Sequence, residues 1–160
     1  MSCSADSQLN TDEFKKIPDD FSVNFFDKLD TIRNSYDKNF FTRSLSKELT
    51  NNNDINYNKP INLNIINDEL FLKFEDNKSK TLVIKFYGKR FKNRFVFYSR
   101  YETISFPVLF ITKSMEKFIV YFANNNEIIV KKFHDNEGMV LFLGAGNSFD
   151  VQYKFKIIKK

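Results

Sequence analysis

One thiol, one imidazole and a scatter of carboxylates are the groups with chemistry to offer in this chain of 160 residues. Cys3 stands alone in MSCSADSQLNTDE, so no internal disulfide can form. A catalytic thiol needs a base beside it, and His134 is the single histidine. A polar terminal segment is no place for a buried thiol. A lipid attachment point, or an accident of sequence, is what remains for Cys3. His134 falls in KKFHDNEG, which reads as a turn between two strands. A metal centre would need further Cys or His ligands, and the chain lacks them. Asp135 adjoins it, but neighbours in a turn rarely converge. The expectation is a solvated loop histidine. Gly144–Asn147 (GAGN) could bring backbone close to a phosphate, yet phosphate turns open helices. Here the alternating segment Phe149–Ile158 follows, so a glycine-bearing hairpin is expected. Asp19, Asp20, Asp27 and Asp30 read as turn or cap residues, and no serine sits in a nucleophile elbow. The expectation is a protein that is not an enzyme and carries no metal or cofactor.

The richest internal stretch is YGKRFKNRFVFYSRYE, residues 87–102. Lys89, Arg90, Lys92, Arg94 and Arg100 interleave there with Tyr87, Phe91, Phe95, Phe97, Tyr98 and Tyr101. Nucleic-acid-binding sheets combine cations for phosphates with aromatic platforms for bases. The spacing fits less well. The first four cations cluster around a turn, and Phe95 and Phe97 share one strand face, as core residues do. Lys89, Arg90, Lys92, Arg94, Tyr98 and Arg100 are therefore the candidate contacts for an anionic partner, set against a plain basic hairpin.

These groups must be positioned by β-strands. Hydrophobic residues make up 42% of the chain, enough for a core, and Phe supplies 20 of the 27 aromatic rings. Aromatic and β-branched residues suit a pleated, half-buried surface. Residues 1–19 lack periodicity and read as a tether, flexible at least to Leu9, with a helical turn near Thr11–Lys16 and Pro18 at its end. Phe21–Phe26 looks extended. Phe25–Tyr36 fits either strands or a helix with Phe25, Leu29, Ile32 and Tyr36 on one face; strands are favoured, with Asn39–Leu45 pairing back. Residues 47–59 read as a polar loop. After Pro60 strands are expected at Ile61–Ile66, Glu69–Glu75, Thr81–Gly88, Arg94–Ile104, Pro107–Lys113, Lys117–Ala123, Glu127–Phe133, Met139–Gly144 and Phe149–Ile158. The joints would be Asn67–Asp68, NKSK, KSME, NNN, HDNEG and GAGNS. Such short connections mean antiparallel neighbours. The predicted fold is all-β: an antiparallel meander of about eight to ten strands closing into a barrel or two-sheet sandwich, as one domain over residues 20–160.

Charge divides the chain unevenly. Residues 1–80 hold 11 basic and 14 acidic side chains, and residues 81–160 hold 14 and 6. A basic half suits an acidic or phosphate-rich partner, or simply solvates Lys-rich strands against edge-to-edge pairing. No apolar run approaches the roughly 20 residues of a membrane helix. No secretory signal is present in the sequence as it stands.

The segment SCSADSQ resembles the mature start of a bacterial lipoprotein of the Bacteroidota type. Ser2 and Cys3 match the small residue and the modified cysteine, and Ser4–Gln8 match the polar tether. Asp30-Thr31-Ile32 is similar to the Asp-Ser/Thr-apolar motif at which Bacteroidota O-glycosylate envelope proteins. IPDDF (Ile17–Phe21) resembles the entry into the folded part of such lipoproteins. Asn77-Lys78-Ser79 is a formal N-glycosylation sequon, relevant only to a eukaryotic secretory protein. The resemblance implies a lipid on Cys3 and an address at the bacterial cell envelope, outer membrane or periplasm; without the lipid the address would be cytoplasmic. The expected function is then a non-enzymatic binding module recognising a protein partner, a toxin among them as for an immunity protein, or a glycan. Two alternatives stand beside it: a cytosolic nucleic-acid or polyanion binder using residues 87–102, and a lipocalin-like carrier of a small apolar ligand.

Overall fold

The computed structural model describes residues 14–27, 30–33, 40–50, 54–106, 110–140 and 143–158. Cys3 and the motif around it lie outside the described residues. The chain is all-β, as expected. Eight antiparallel strands form one meander in the order β1 (Asp20–Phe25), β4 (Ile61–Ile66), β5 (Glu69–Glu75), β6 (Thr81–Arg90), β7 (Arg94–Phe106), β8 (Phe110–Phe122), β9 (Glu127–Val140) and β10 (Leu143–Lys156). Between β1 and β4 the chain forms a separate hairpin, β2 (Asp30–Arg33) with β3 (Phe40–Arg43), and a short helix, α1 (Leu45–Thr50). Of the segment expected to pair back, Phe40–Arg43 pairs with Asp30–Arg33 while Leu45 begins α1, and the alternative helix over Phe25–Tyr36 is not formed at Phe25 or over Asp30–Arg33. The polar loop expected over residues 47–59 begins as α1. Asp27 explains why: its buried carboxylate accepts from the backbone N–H of Leu45 (3.2 Å) and Ser46 (2.8 Å) and from the hydroxyls of Ser44 and Ser46. A distant side chain thereby caps the helix start.

The sheet is narrow at two seams. β6 and β7 share only the pairs Gly88–Phe97, Lys89–Val96 and Arg90–Phe95. β1 and the end of β10 meet at one bridge, Asn24–Ile158. The sheet is not closed: it is two four-stranded halves, β1-β4-β5-β6 and β7-β8-β9-β10, folded toward each other. Phenylalanines fill the space between them. Phe25 meets Phe155 at 4.5 Å, Phe86 meets Phe97 at 4.8 Å, and Phe21 meets Phe122 at 5.2 Å between ring centroids. Alternation selects such rings: β1 buries Phe21 and Phe25, and the end of β10 buries Val151, Tyr153 and Phe155 while pointing Gln152, Lys154 and Lys156 outward.

The segment expected as a tether over residues 1–19 is held down from Phe14 onward. Phe14 bridges Ala123, and Lys15 and Ile17 donate to the carbonyls of Phe122 and Lys92. No helical turn forms over residues 14–16. Phe14 stacks on Tyr121 at 4.6 Å and, with Ile119 and Ile129, builds a second apolar cluster on the outer face of β8 and β9.

Candidate functional site

The second half-sheet extends well past the core. β7, β8, β9 and β10 run 13, 13, 14 and 14 residues, while no strand of the first half exceeds 10. Three segments expected as turns lie inside these strands. KSME is in β8, HDNEG in β9 and GAGNS in β10, and they are registered side by side: Lys113 opposite Glu137, Ser114 opposite Asn136, Glu116 opposite His134, and Gly146 opposite Glu137. Four long strands therefore replace the six shorter ones expected from residue 94 onward. The reason is physical. Beyond the core both sheet faces meet solvent, so a strand there needs no apolar alternation, and Gly, Asn or Asp at such positions no longer marks a turn. β7 ends at Phe106 and β8 begins at Phe110, and β9 ends at Val140 and β10 begins at Leu143. The result is a four-stranded arm. It projects roughly 25 Å past the bulge at Tyr98/Arg100, at about 3.3 Å per residue.

A charged network occupies the base of this arm, where α1 crosses it. Lys132 reaches Glu48 of α1 at 2.8 Å and Glu116 of β8 at 3.2 Å. The Tyr153 hydroxyl also donates to Glu48, and Ser99 donates to Glu116 at 2.9 Å. Burial pushes the Glu116 carboxyl up, but the Ser99 hydroxyl, Lys132 and His134 outweigh it, and its pKa lies below the ordinary 4.5. Burial pushes Lys132 down, but Glu48 and Glu116 outweigh it, and its pKa lies above the ordinary 10.5.

His134 belongs to this network, which corrects its expected place in a solvated loop. It sits mid-strand with its ring 4.8 Å from that of Phe149. The Asn136 side-chain amide lies 2.7 Å from Nε2, and Nδ1 faces Glu116 at 3.4 Å, buried and without a hydrogen-bond partner. Both nitrogens are thus turned toward side chains of the protein rather than toward an open cleft. Among the described residues no three His, Cys, Asp or Glu side chains are grouped as metal ligands. The network reads as a clamp between α1 and the sheet. No sequence pattern announced it, because Glu48, Glu116, Lys132 and Tyr153 lie far apart in the chain.

The candidate anionic-partner contacts are not one surface. Arg90 is turned inward: Nε donates to Asn67 O (3.1 Å), Nη1 to Pro18 O (2.5 Å) and Nη2 to Asp19 O and Ile65 O (2.9 Å each). Arg100 pairs with Glu102 at 2.9 Å, which raises its pKa. Lys89 and Arg94 lie over the Phe91 ring, at 5.7 and 5.0 Å. Lys92 is exposed, and its carbonyl receives Ile17 N–H. Tyr98 is exposed at the arm's base, edge-on to Tyr101 at 6.2 Å.

Large apolar side chains are displayed on the arm. Tyr101, Ile104, Ile111, Met139, Leu143 and Phe149 are all exposed, Leu143 at 80%. One face carries a shallow groove of about 470 Å³, lined by Ile111, Lys113 and Met139, with Gly144 and Gly146 leaving its outer side bare of side chains.

The fold and this arm define an all-β protein with a two-faced sheet projecting from a phenylalanine core. Comparison with known protein families, with curated proteins and with solved structures finds no match.

Proposed function

We propose that this chain is a non-enzymatic binding module of the bacterial cell envelope, carried on a lipid at Cys3, that meets a protein partner with the far end of its arm. One observation carries the partner reading. At the far end of the arm the described strand ends expose Ile104, Ile111, Met139 and Leu143. Apolar residues concentrated at an exposed end suit burial against another surface. Aliphatic side chains fit a protein groove better than a glycan, which favours aromatic platforms beside polar groups; a toxin is one partner of this kind. The charged network, tied to its own side chains, supports a module without catalysis. The lipid reading rests on the Ser2-Cys3 resemblance, and the reach from Cys3 to Phe14 would be at most about 40 Å.

Photo-crosslinking residues placed at Ile111 or Met139 test the partner reading in cells of the source organism. A discrete protein adduct from both, absent when the probe replaces exposed Lys73, is the expected result. Adducts from none of the arm positions, equal adducts from Lys73, or adducts to lipid alone would overturn it. For the anchor, metabolic labelling with an alkyne palmitate should mark the chain and be lost in Cys3→Ser; an unlabelled wild-type chain would refute the lipid.

A further inference from the structure

The arm has two free edges, and they are built differently. The β7 edge carries a bulge at Tyr98/Arg100 and the Arg100–Glu102 ion pair. Bulges and charges are the devices by which sheet edges avoid pairing with other chains. The β10 edge, among the described residues, pairs with nothing from Leu143 to Asp150 and is exposed throughout. Its first seven residues, Leu143-Gly-Ala-Gly-Asn-Ser-Phe149, include no charge and no proline. The nearer part of the same strand is different: Lys154 and Lys156 stand there, and β1 meets the chain at Ile158. The unprotected stretch is therefore confined to the arm.

We infer that Leu143–Phe149 is a self-pairing edge, on which a second copy of this chain lays its own Leu143–Phe149 antiparallel about a two-fold axis through Gly146. The stretch is self-complementary in that register. Leu143 stands opposite the partner's Phe149 at each end, an aliphatic–aromatic cross-strand pair made twice. Ala145 stands opposite the partner's Asn147, Gly144 opposite the partner's Ser148, and Gly146 opposite its own copy. No charge faces a like charge. Leu143, Ala145, Asn147 and Phe149 lie on one face of β10, so both large pairs form on the same side. The two arms become one continuous eight-stranded sheet. A two-fold contact closes on itself, whereas β10 on the partner's β7 would continue into a filament. The partner here is a second copy, chosen over a foreign strand because the sequence of the edge complements itself. This inference goes beyond the reading of the arm's tip and stands whether or not that reading holds.

Sedimentation equilibrium of the purified chain tests it with no other partner present. The expected mass rises with concentration from the 19.0 kDa of one chain toward twice that value, and no further. Ala145→Lys combined with Asn147→Lys places lysine opposite lysine twice and should weaken association about tenfold or more. Both positions are exposed, so the melting temperature of the variant should stay that of the wild type. A mass of 19.0 kDa up to about 1 mM, a dimer indifferent to the paired lysines, or an open series of larger species would each overturn the proposal.

Discussion

Arg90 shows how a residue type can mislead about its role. From sequence it belongs to a run of cations, and cations in a run suggest an anion. In the fold its guanidinium is the knot that ties three backbone segments together: the entry at Pro18 and Asp19, the end of β4 at Ile65 and the turn at Asn67. The planar fork matches these carbonyls, which a single ammonium could not reach at once. Arg90→Ala should therefore destabilise the protein by roughly 2 kcal/mol. Arg90→Lys should recover little of that loss, since it restores the charge but not the fork. Urea denaturation of the three proteins checks this; full recovery by lysine would mean that charge alone matters at this position. The local sequence could not disclose the role, because the acceptors are main-chain atoms 23 to 72 residues away. His134 is the parallel case. Its neighbours in sequence are those of a turn, and the carboxylate it faces, Glu116, comes from the adjacent strand.

At the scale of elements, the strands from Ile61 to Arg90 were legible, and of β8, β9 and β10 both ends were legible while the polar band between them was read as turns. The Ile61–Ile66 and Glu69–Glu75 hairpin is seen as expected, with Asn67 at φ 53° in its turn. Alternation works there because one face is buried. In β8 and β9 it stops at the core boundary, and the polar stretches beyond it imitate turns. A sharper signal was available: KSME, HDNEG and GAGNS fall at equal register in three neighbours, as a solvated band across a sheet must. The seam between β6 and β7 depends on Gly88, where an added Cβ would come within 2.4 Å of Val96 O and 2.6 Å of the Phe95 ring. Gly88→Ala must displace backbone as well as a core ring, and should cost about 3 kcal/mol in a thermal melt. A melt unchanged from wild type would mean that the seam is loose. The docking of α1 depends on charge. Glu116, with its pKa lowered, stabilises the fold fully above pH 4.5 and loses this as pH falls through its folded value. Lys132, with its pKa raised, does so below pH 10.5 and loses it as pH rises through its folded value. The clamp is therefore strongest between those limits. Glu116→Gln should lower stability at neutral pH and flatten its decline toward acid. Parallel acid limbs in wild type and variant would show that Glu116 does not carry the effect.

The whole molecule divides into a part that holds itself together and a part that is held out. All residues of the main core cluster come from the segments 17–74, 95–97, 118–130 and 151–155, and none from the arm beyond its base. Burial of those side chains supplies the bulk of the folding free energy, while the arm adds backbone pairing between strands wetted on both faces. The all-β class was readable in the sequence because the core parts of the strands alternate apolar and polar residues. The division was not, since nothing local marks where a strand leaves the core. It has a measurable consequence for the ensemble. Regions with few buried apolar contacts open with less than the global free energy. Amides of residues 101–105, 111–115 and 135–139 should exchange with solvent hydrogen well before those of 118–122 and 128–130, though all are paired in the same ladders. Residues 144–148 of β10 divide the outcomes further. In dilute solution they should exchange as fast as the rest of the arm, and under self-pairing their protection should climb with protein concentration while that of the β7 edge does not. Uniform protection along β8, from Phe110 to Phe122, would instead mean that arm and core unfold as one unit, and that the arm is as rigid as the core from which it projects.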